Sequence, residues 1–412
     1  MSTSQEHSFP RAESNRVAQA IALGIVLLTI SWALLHTGIW SRTQIIDTPV
    51  YERYGEAILD GQVPYRDFDL EYPPAALPAF VLPALAQEED YGAAFEVLMW
   101  ACAVAAVVAL GLALSAVDAG TARLYAAVCF LALAPLALGT VILSRYDLWP
   151  AALTIGALAA LVGRRERVGF GLLGLAVAAK IYPLVLLPLA LVWTAKQRGT
   201  RELWVGLVCF AGVLALCFVP FLILAPGGVA HSIGTQLGRP LQLESLGAAL
   251  LLAADQLGIY EATVESSHGS QNLAGSLPDA IASLLTAFQF VAVGVVWAVF
   301  VARDRGREGL LTAGAASVAA FVAFGKVLSP QFLIWLLPLV PAVAGAGGLA
   351  ACAVLLISLV TTQLWFPFRY WDVVALEPVG WLVVVRDLLL VALYAILLVA
   401  LSRRRREAAR IA

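Results

Sequence analysis

Along this chain apolar residues neither alternate with polar ones nor recur at a helical period; they run together. Runs of about 20 apolar residues recur over most of its length, enough to cross a hydrocarbon core as helices. They predict spans at 17–36, 92–117, 122–143, 147–163, 203–225, 278–302, 309–326, 329–345, 346–366 and 378–401. A shorter pair, 168–179 and 181–194, brings the count to twelve. The stretch Pro74 to Ala86 is too short and Pro-rich to cross and predicts a surface or half-inserted helix. The expected fold is an all-α polytopic membrane protein, one domain over 1–412.

The polar segments orient these spans. Of the 26 Lys and Arg, 17 fall in segments that an even count puts on one side, six on the other, and Lys180, Lys326 and Arg386 lie in or beside apolar runs. Cytoplasmic loops collect Lys and Arg. The tails 1–16 and 402–412 are therefore expected in the cytoplasm, and the loops 37–91 and 226–277 on the outer face. Arg164 to Arg167 and Lys196 to Arg201 both belong to the basic side, yet only about 27 residues separate them, too few for two full crossings at ~1.5 Å per residue. The chain must dip in and turn near Lys180-Ile181-Tyr182-Pro183, which only a protein-lined or watery cavity tolerates.

Composition agrees: 61% hydrophobic, 13% charged, mean hydropathy +0.86. The net charge of −2 names no partner, and no stretch reads as a nucleic-acid site. The five cysteines lie inside apolar runs and predict neither disulfides nor a thiolate metal site. The run after Arg16 lacks a small-residue cleavage site and predicts a retained first span.

Candidate chemistry begins in the first outer loop, which carries Arg42, Arg53, Arg66 and seven carboxylates: Asp47, Glu52, Glu56, Asp60, Asp67, Asp69 and Glu71. Thr48 can cap a short helix starting at Pro49 and ending before Gly61, with Tyr51, Tyr54 and Ile58 on its apolar face. Asp47 then either caps that helix or serves as a general base toward an acceptor hydroxyl. Asp67, Asp69 and Glu71 alternate, so they form either a solvated turn or a divalent-cation site. Lys180, deep in an apolar run, costs ~3 kcal/mol to insert and suggests a counter-charge for a phosphate, against snorkelling or a structural pair. Lys326 either snorkels at the outer interface or contacts phosphate. Arg145 and Asp147 either pair with each other or belong to the site, and Glu244, flanked by Gln242 and Ser245, is a weaker candidate. His231 and His268 share its loop, where a solvated ring is the ordinary reading. No Ser-His-Asp set, His/Cys metal cluster or phosphate-binding Gly-rich loop occurs.

Taken together these motifs resemble glycosyltransferase family 87. They are D-x-x-V-Y and G-x-x-P-Y-x-D-F-x-x-E-Y-P-P (Asp47 to Pro74), S-R-Y-D-L-W-P-A (Ser144 to Ala151) and A-K-I-Y-P-L-V-L-L-P (Ala179 to Pro188). E-S-L (Glu244 to Leu246), S-P-Q-F-L-I-W-L-L-P (Ser329 to Pro338) and F-P-F-R-Y within Thr362 to Tyr370 follow in the same order. The resemblance covers roughly residues 15 to 400 and implies a GT-C-like fold with outer juxtamembrane helices. It further implies a multi-pass plasma-membrane enzyme, akin to actinobacterial polyprenyl-phosphate-mannose-dependent α-mannosyltransferases, that passes a sugar from a polyprenyl-phosphate donor to a glycolipid or glycan at the outer face. Membrane lipid is the remaining partner. Asp47 falls on the family's catalytic aspartate. Lys180, Tyr182, Arg145, Lys326, Gln331, Glu71, Tyr72 and Glu244 become donor-phosphate or substrate contacts. At least one enzyme of the family has a histidine in its site, for which His268 is the candidate here. In-line attack on a β-linked sugar phosphate inverts to an α-linked product and needs a base plus positive groups on the departing phosphate. A lipid phosphate can leave on Lys and Arg alone, so no cofactor is required, though a divalent cation stays open. The rival reading, a transporter or flippase of lipid-linked sugars, should show inverted repeats. None is visible: the outer loops are unequal, and Lys180 has no counterpart in the other half.

Overall fold

The computed structural model describes residues 11–42, 45–86, 90–303 and 306–411, without the side chains of 11–13 and 404–411. The expectations for the tail 1–10, for Arg305 and for the side chains of Arg11, Arg404, Arg405, Arg406 and Arg410 lie outside the described residues. Helices dominate, and the chain is an all-α polytopic membrane protein. Among the described residues seven helices are long and apolar enough to cross a membrane: α1 (Arg11–Leu34), α4 (Tyr91–Ala116), α5 (Thr121–Leu138), α10 (Thr200–Leu224), α13 (Ser276–Arg303), α15 (Gly345–Trp365) and α17 (Gly380–Ile411). Between α1 and α4 lie α2 (Thr48–Leu59) and α3 (Leu77–Ala84).

The other elements are shorter, and proline and glycine explain why. The run 122–143 is interrupted at Gly139, whose φ of +75° suits glycine, and continues as α6 (Val141–Ser144). The segment read as a span at 329–345 is not one helix: Pro330, Pro338 and Pro341 break it into 3-10 turns, Pro330–Leu336 and Val340–Ala342. Between these regions come α7 (Leu148–Val162), α8 (Glu166–Ala179), α9 (Leu187–Arg198) and α14 (Arg307–Ala323). The small-residue helix α14 is buried along nearly its whole length and packs on α13 and α17. Ala and Gly let neighbouring backbones approach it closely.

The dip expected around Lys180 is a helical hairpin. Helix α8 ends at Ala179, Lys180 is extended (φ −160°, ψ 139°), and a 3-10 turn at Tyr182–Leu186 leads back into α9. The two arms meet again at their far ends, where Arg198 Nε lies 2.8 Å from Glu166 Oε1. The loop 226–277 is more ordered than its polarity suggested. It holds α11 (Pro226–Leu237), β1 (Leu241–Gln242), α12 (Leu246–Gln256) and a hairpin of β2 (Val264–Ser267) and β3 (Ser270–Leu273), in sheet order β1-β3-β2. After α15, the short α16 (Tyr370–Val374) precedes α17. The loops 37–91 and 226–277 clasp: a Cβ on Gly228 would come within 1.8 Å of the Tyr65 carbonyl oxygen, so only glycine allows this approach.

Candidate active site

Asp47 occupies the residue before α2, yet its side chain makes no capping hydrogen bond. Thr48, expected as the cap, is instead the first helical residue. The Asp47 carboxylate turns away to Arg145, with Oδ1 2.6 Å from the Arg145 guanidinium, and accepts a longer hydrogen bond from the Tyr51 hydroxyl (3.4 Å). Arg145 also donates to the Ile45 carbonyl (3.2 Å). The expected alternative of an Arg145–Asp147 pair is therefore wrong. Arg145 is in extended backbone while Asp147 opens α7, so the chain turns between them and each finds a different partner.

The partner of Asp147 is Lys180. Its ammonium lies 2.6 Å from Asp147 Oδ1, and the same oxygen accepts from the Trp335 indole N–H at 2.6 Å. Three rings surround the ammonium, Tyr146 at 4.7 Å, Trp335 at 5.1 Å and Phe332 at 5.4 Å, a cage suited to a cation. The candidate Tyr182 is fully buried, stacks on Trp335 at 4.1 Å and shares a 3.0 Å hydrogen bond with Thr154. It therefore holds Trp335 in place. Tyr146 joins the two ion pairs, since it lies between Arg145 and Asp147 in the chain and its ring packs edge-on against Tyr51 and Tyr72. The arrangement is two crossed pairs, Asp47–Arg145 and Asp147–Lys180, over one aromatic floor. Exposure grades across it: the Asp47 side chain is 32% exposed and Lys180 17%, whereas Arg145 is 5% and Asp147 1%. The outer members of each pair can meet a substrate.

The other sequence candidates divide. Tyr72 belongs to the aromatic floor, and burial raises its hydroxyl pKa, as it does for Tyr51. Gln331 is half-buried beside Phe332. Lys326 is committed elsewhere, donating to the last carbonyl of α11, Leu237, at 2.8 Å, where a cation also favours the helix dipole. Glu71 is exposed, and a side chain on Gly269 would lie 3.9 Å from its Oε1, so the β2–β3 tip reaches the first loop. His268 stands at that tip, exposed, with φ +53°, and touches neither Asp47 nor Lys180 among the described residues. Asp67 is tied to Arg66 (2.9 Å) and to the Val63 N–H (2.7 Å); the Arg66 contact lowers its pKa to about 2. Among the described residues no three His, Cys, Asp or Glu side chains gather as a metal site. A surface cleft of about 260 Å³, lined by Glu52, Glu56, Asp60 and Tyr91, includes none of the candidates.

Glu244 anchors a separate buried group. Gln242 donates to its carboxylate and to Ser329 Oγ (2.8 Å), while Arg386 donates to its carbonyl (2.7 Å). Burial pushes the Glu244 carboxyl up to about 7 from 4.5. The folded state then holds the proton more tightly than the unfolded one, so stability should fall as pH rises from about 4.5 to about 7. Glu244→Gln is expected to flatten that stretch of a melting-temperature profile against pH. An unchanged slope would place the titration elsewhere.

Trp335, Phe332 and Arg239 escaped the sequence reading. The two aromatics lie in an apolar run, where nothing distinguishes a cation cage from core. Arg239 donates to Ser270 Oγ (3.0 Å), and its signal was a lone charge in a loop of short apolar helices. With this geometry in view, a protein-family model, glycosyltransferase family 87, matches residues 70–330, more than half of the chain. The matched segment includes Glu71, Tyr72, Arg145, Tyr146, Asp147, Lys180, Tyr182, Glu244, His268 and Lys326; Gln331 falls one residue past its end and Asp47 lies 23 residues before its start. None of the curated proteins matches the chain. Family membership favours sugar transfer over the transporter reading, and the chain belongs to glycosyltransferase family 87, a glycosyltransferase embedded in a membrane.

Proposed function

We propose that the chain is an inverting glycosyltransferase that moves a sugar, mannose first among candidates, from a polyprenyl-phosphate donor to a hydroxyl of a glycolipid or glycan at the outer face of the plasma membrane. The observation that carries this reading is the meeting of Asp47 and Lys180, far apart in sequence, at one cluster through Arg145 and Asp147. Asp47 is the general base. The acceptor oxygen bonds to the anomeric carbon, its proton passes to Asp47, and the bond from that carbon to the phosphate oxygen breaks, its electron pair leaving with the polyprenyl phosphate. Protonation of Asp47 cancels the charge that holds Arg145, just as the leaving phosphate gains a second negative charge. Arg145 and Lys180 are then the groups that receive that charge. Ile181, next to Lys180, is 62% exposed and gives an apolar lipid tail a place to lie beside the ammonium.

The reading is tested with purified full-length protein and radiolabelled polyprenyl-phosphate-mannose, scoring label passed to membrane glycolipid acceptors. Transfer with inversion at the anomeric carbon is expected. Transfer only from a nucleotide sugar would remove the lipid donor from the scheme.

A further inference from the structure

A second polar cavity lies at the other end of the bundle. Helix α7 runs from Leu148 to Val162, about 22 Å at ~1.5 Å per residue, and α8 leads back to Lys180 from Glu166. The far end of this pair, where α9 finishes and α14 begins, holds a partly open pocket of about 120 Å³ lined by the exposed Arg164, Gln197 and Arg198, the half-buried Arg307 and the buried Trp193. That is well above the ~10–15 Å³ one water needs.

Four of the five lining side chains, Arg164, Trp193, Arg198 and Arg307, can only donate. Arg198 meets Glu166, and Arg307 gives one N–H to the Ala116 carbonyl (2.8 Å). Arg164 forms no ion pair or side-chain hydrogen bond among the described residues. Nearby carboxylates are already taken: Glu308 by Arg123 and Glu202 by Arg167. Trp193 adds an independent sign. It is 2% exposed, yet its indole N–H has no hydrogen-bond partner among the described residues. A buried donor without an acceptor costs ~1–3 kcal/mol, so a cavity it lines is built for something that accepts. Three guanidiniums and an indole N–H line it, from the end of α7, from α9 and from the start of α14, more N–H donors than the two oxygens of a carboxylate can meet. A planar carboxylate would leave several of them unmet, whereas the tetrahedral oxygens of a phosphate can answer them.

We propose that this cavity binds a phosphate group, on an anionic lipid headgroup or as free phosphate. Neither the family nor the transfer reaction assigns a ligand here, and the site does not depend on the proposed donor or acceptor. The test compares full-length wild type, Arg164→Gln and Trp193→Phe, the latter keeping the ring and removing only the N–H. One arm titrates inorganic phosphate and, separately, acetate by calorimetry in neutral detergent. The other embeds the protein in phosphatidylcholine nanodiscs with or without phosphatidylglycerol and counts retained lipids by native mass spectrometry. Phosphate should bind in preference to acetate, about tenfold or more weakly in Arg164→Gln and less in Trp193→Phe than in wild type. Phosphatidylglycerol retained by wild type and lost by Arg164→Gln would name the lipid as source; phosphate binding without lipid retention would name the free ion. Acetate bound as tightly as phosphate, or all three proteins alike in both arms with equal melting curves, would overturn the proposal.

Discussion

Asp47→Asn is expected to lower the rate of sugar transfer about 10²- to 10⁴-fold, the usual contribution of a positioned general base. The amide keeps the size of the side chain and can still accept from Tyr51, but it cannot take the acceptor proton or balance Arg145. The comparison that separates chemistry from folding is with Arg145→Gln in the Asp47→Asn background. In that background Arg145 has lost its counter-charge from the outset, so if it is a phosphate ligand the second substitution weakens donor binding as well as lowering the remaining rate. Radiolabel transfer and the melting temperature in detergent read the two effects. Full activity in Asp47→Asn would remove Asp47 as the base.

The largest stability effect is expected at the other pair. Lys180→Met leaves Asp147 buried with only Trp335 as donor, and Asp147→Leu leaves an ammonium in an aromatic cage with no counter-ion. Breaking such a pair from one side costs ~3–5 kcal/mol, whereas replacing both charges by apolar groups is often near neutral. Each single variant should therefore melt well below wild type, and the double variant Lys180→Met with Asp147→Leu should recover most of the loss. It should not recover transfer, because the ammonium that meets the leaving phosphate is gone. A double variant as active as wild type would confine Lys180 to a structural role.

Much of the fold was legible because the membrane makes it so: apolar runs of sufficient length have few other uses. The hairpin at Lys180 could be deduced from charge alone, since Arg167 and Lys196 stand too close for two crossings. What could not be deduced were the partners. Arg145 and Asp147 are two residues apart, and only the turn into α7 shows that one meets Asp47 and the other Lys180. Trp335 sits in a run that reads as a span but folds as 3-10 turns, an outcome that depends on three prolines acting together. The loop 226–277 concealed α11 and α12 because neither is long enough to stand out from a polar background. Lys326 was legible as an interfacial cation but not as a donor to the end of α11, a carbonyl 89 positions away.

The hairpin carries a consequence for how this enzyme can vary. With Glu166 and Arg198 fastened together at its base, the 14 residues of α8 act as a gauge rod that fixes how deep the ammonium sits. Adding one residue to that arm would raise Lys180 by ~1.5 Å and swing it ~100° around the axis, out of reach of Asp147. A residue added to a loop outside the hairpin leaves that spacing untouched, so it is the length of this one arm that keeps the ammonium against Asp147.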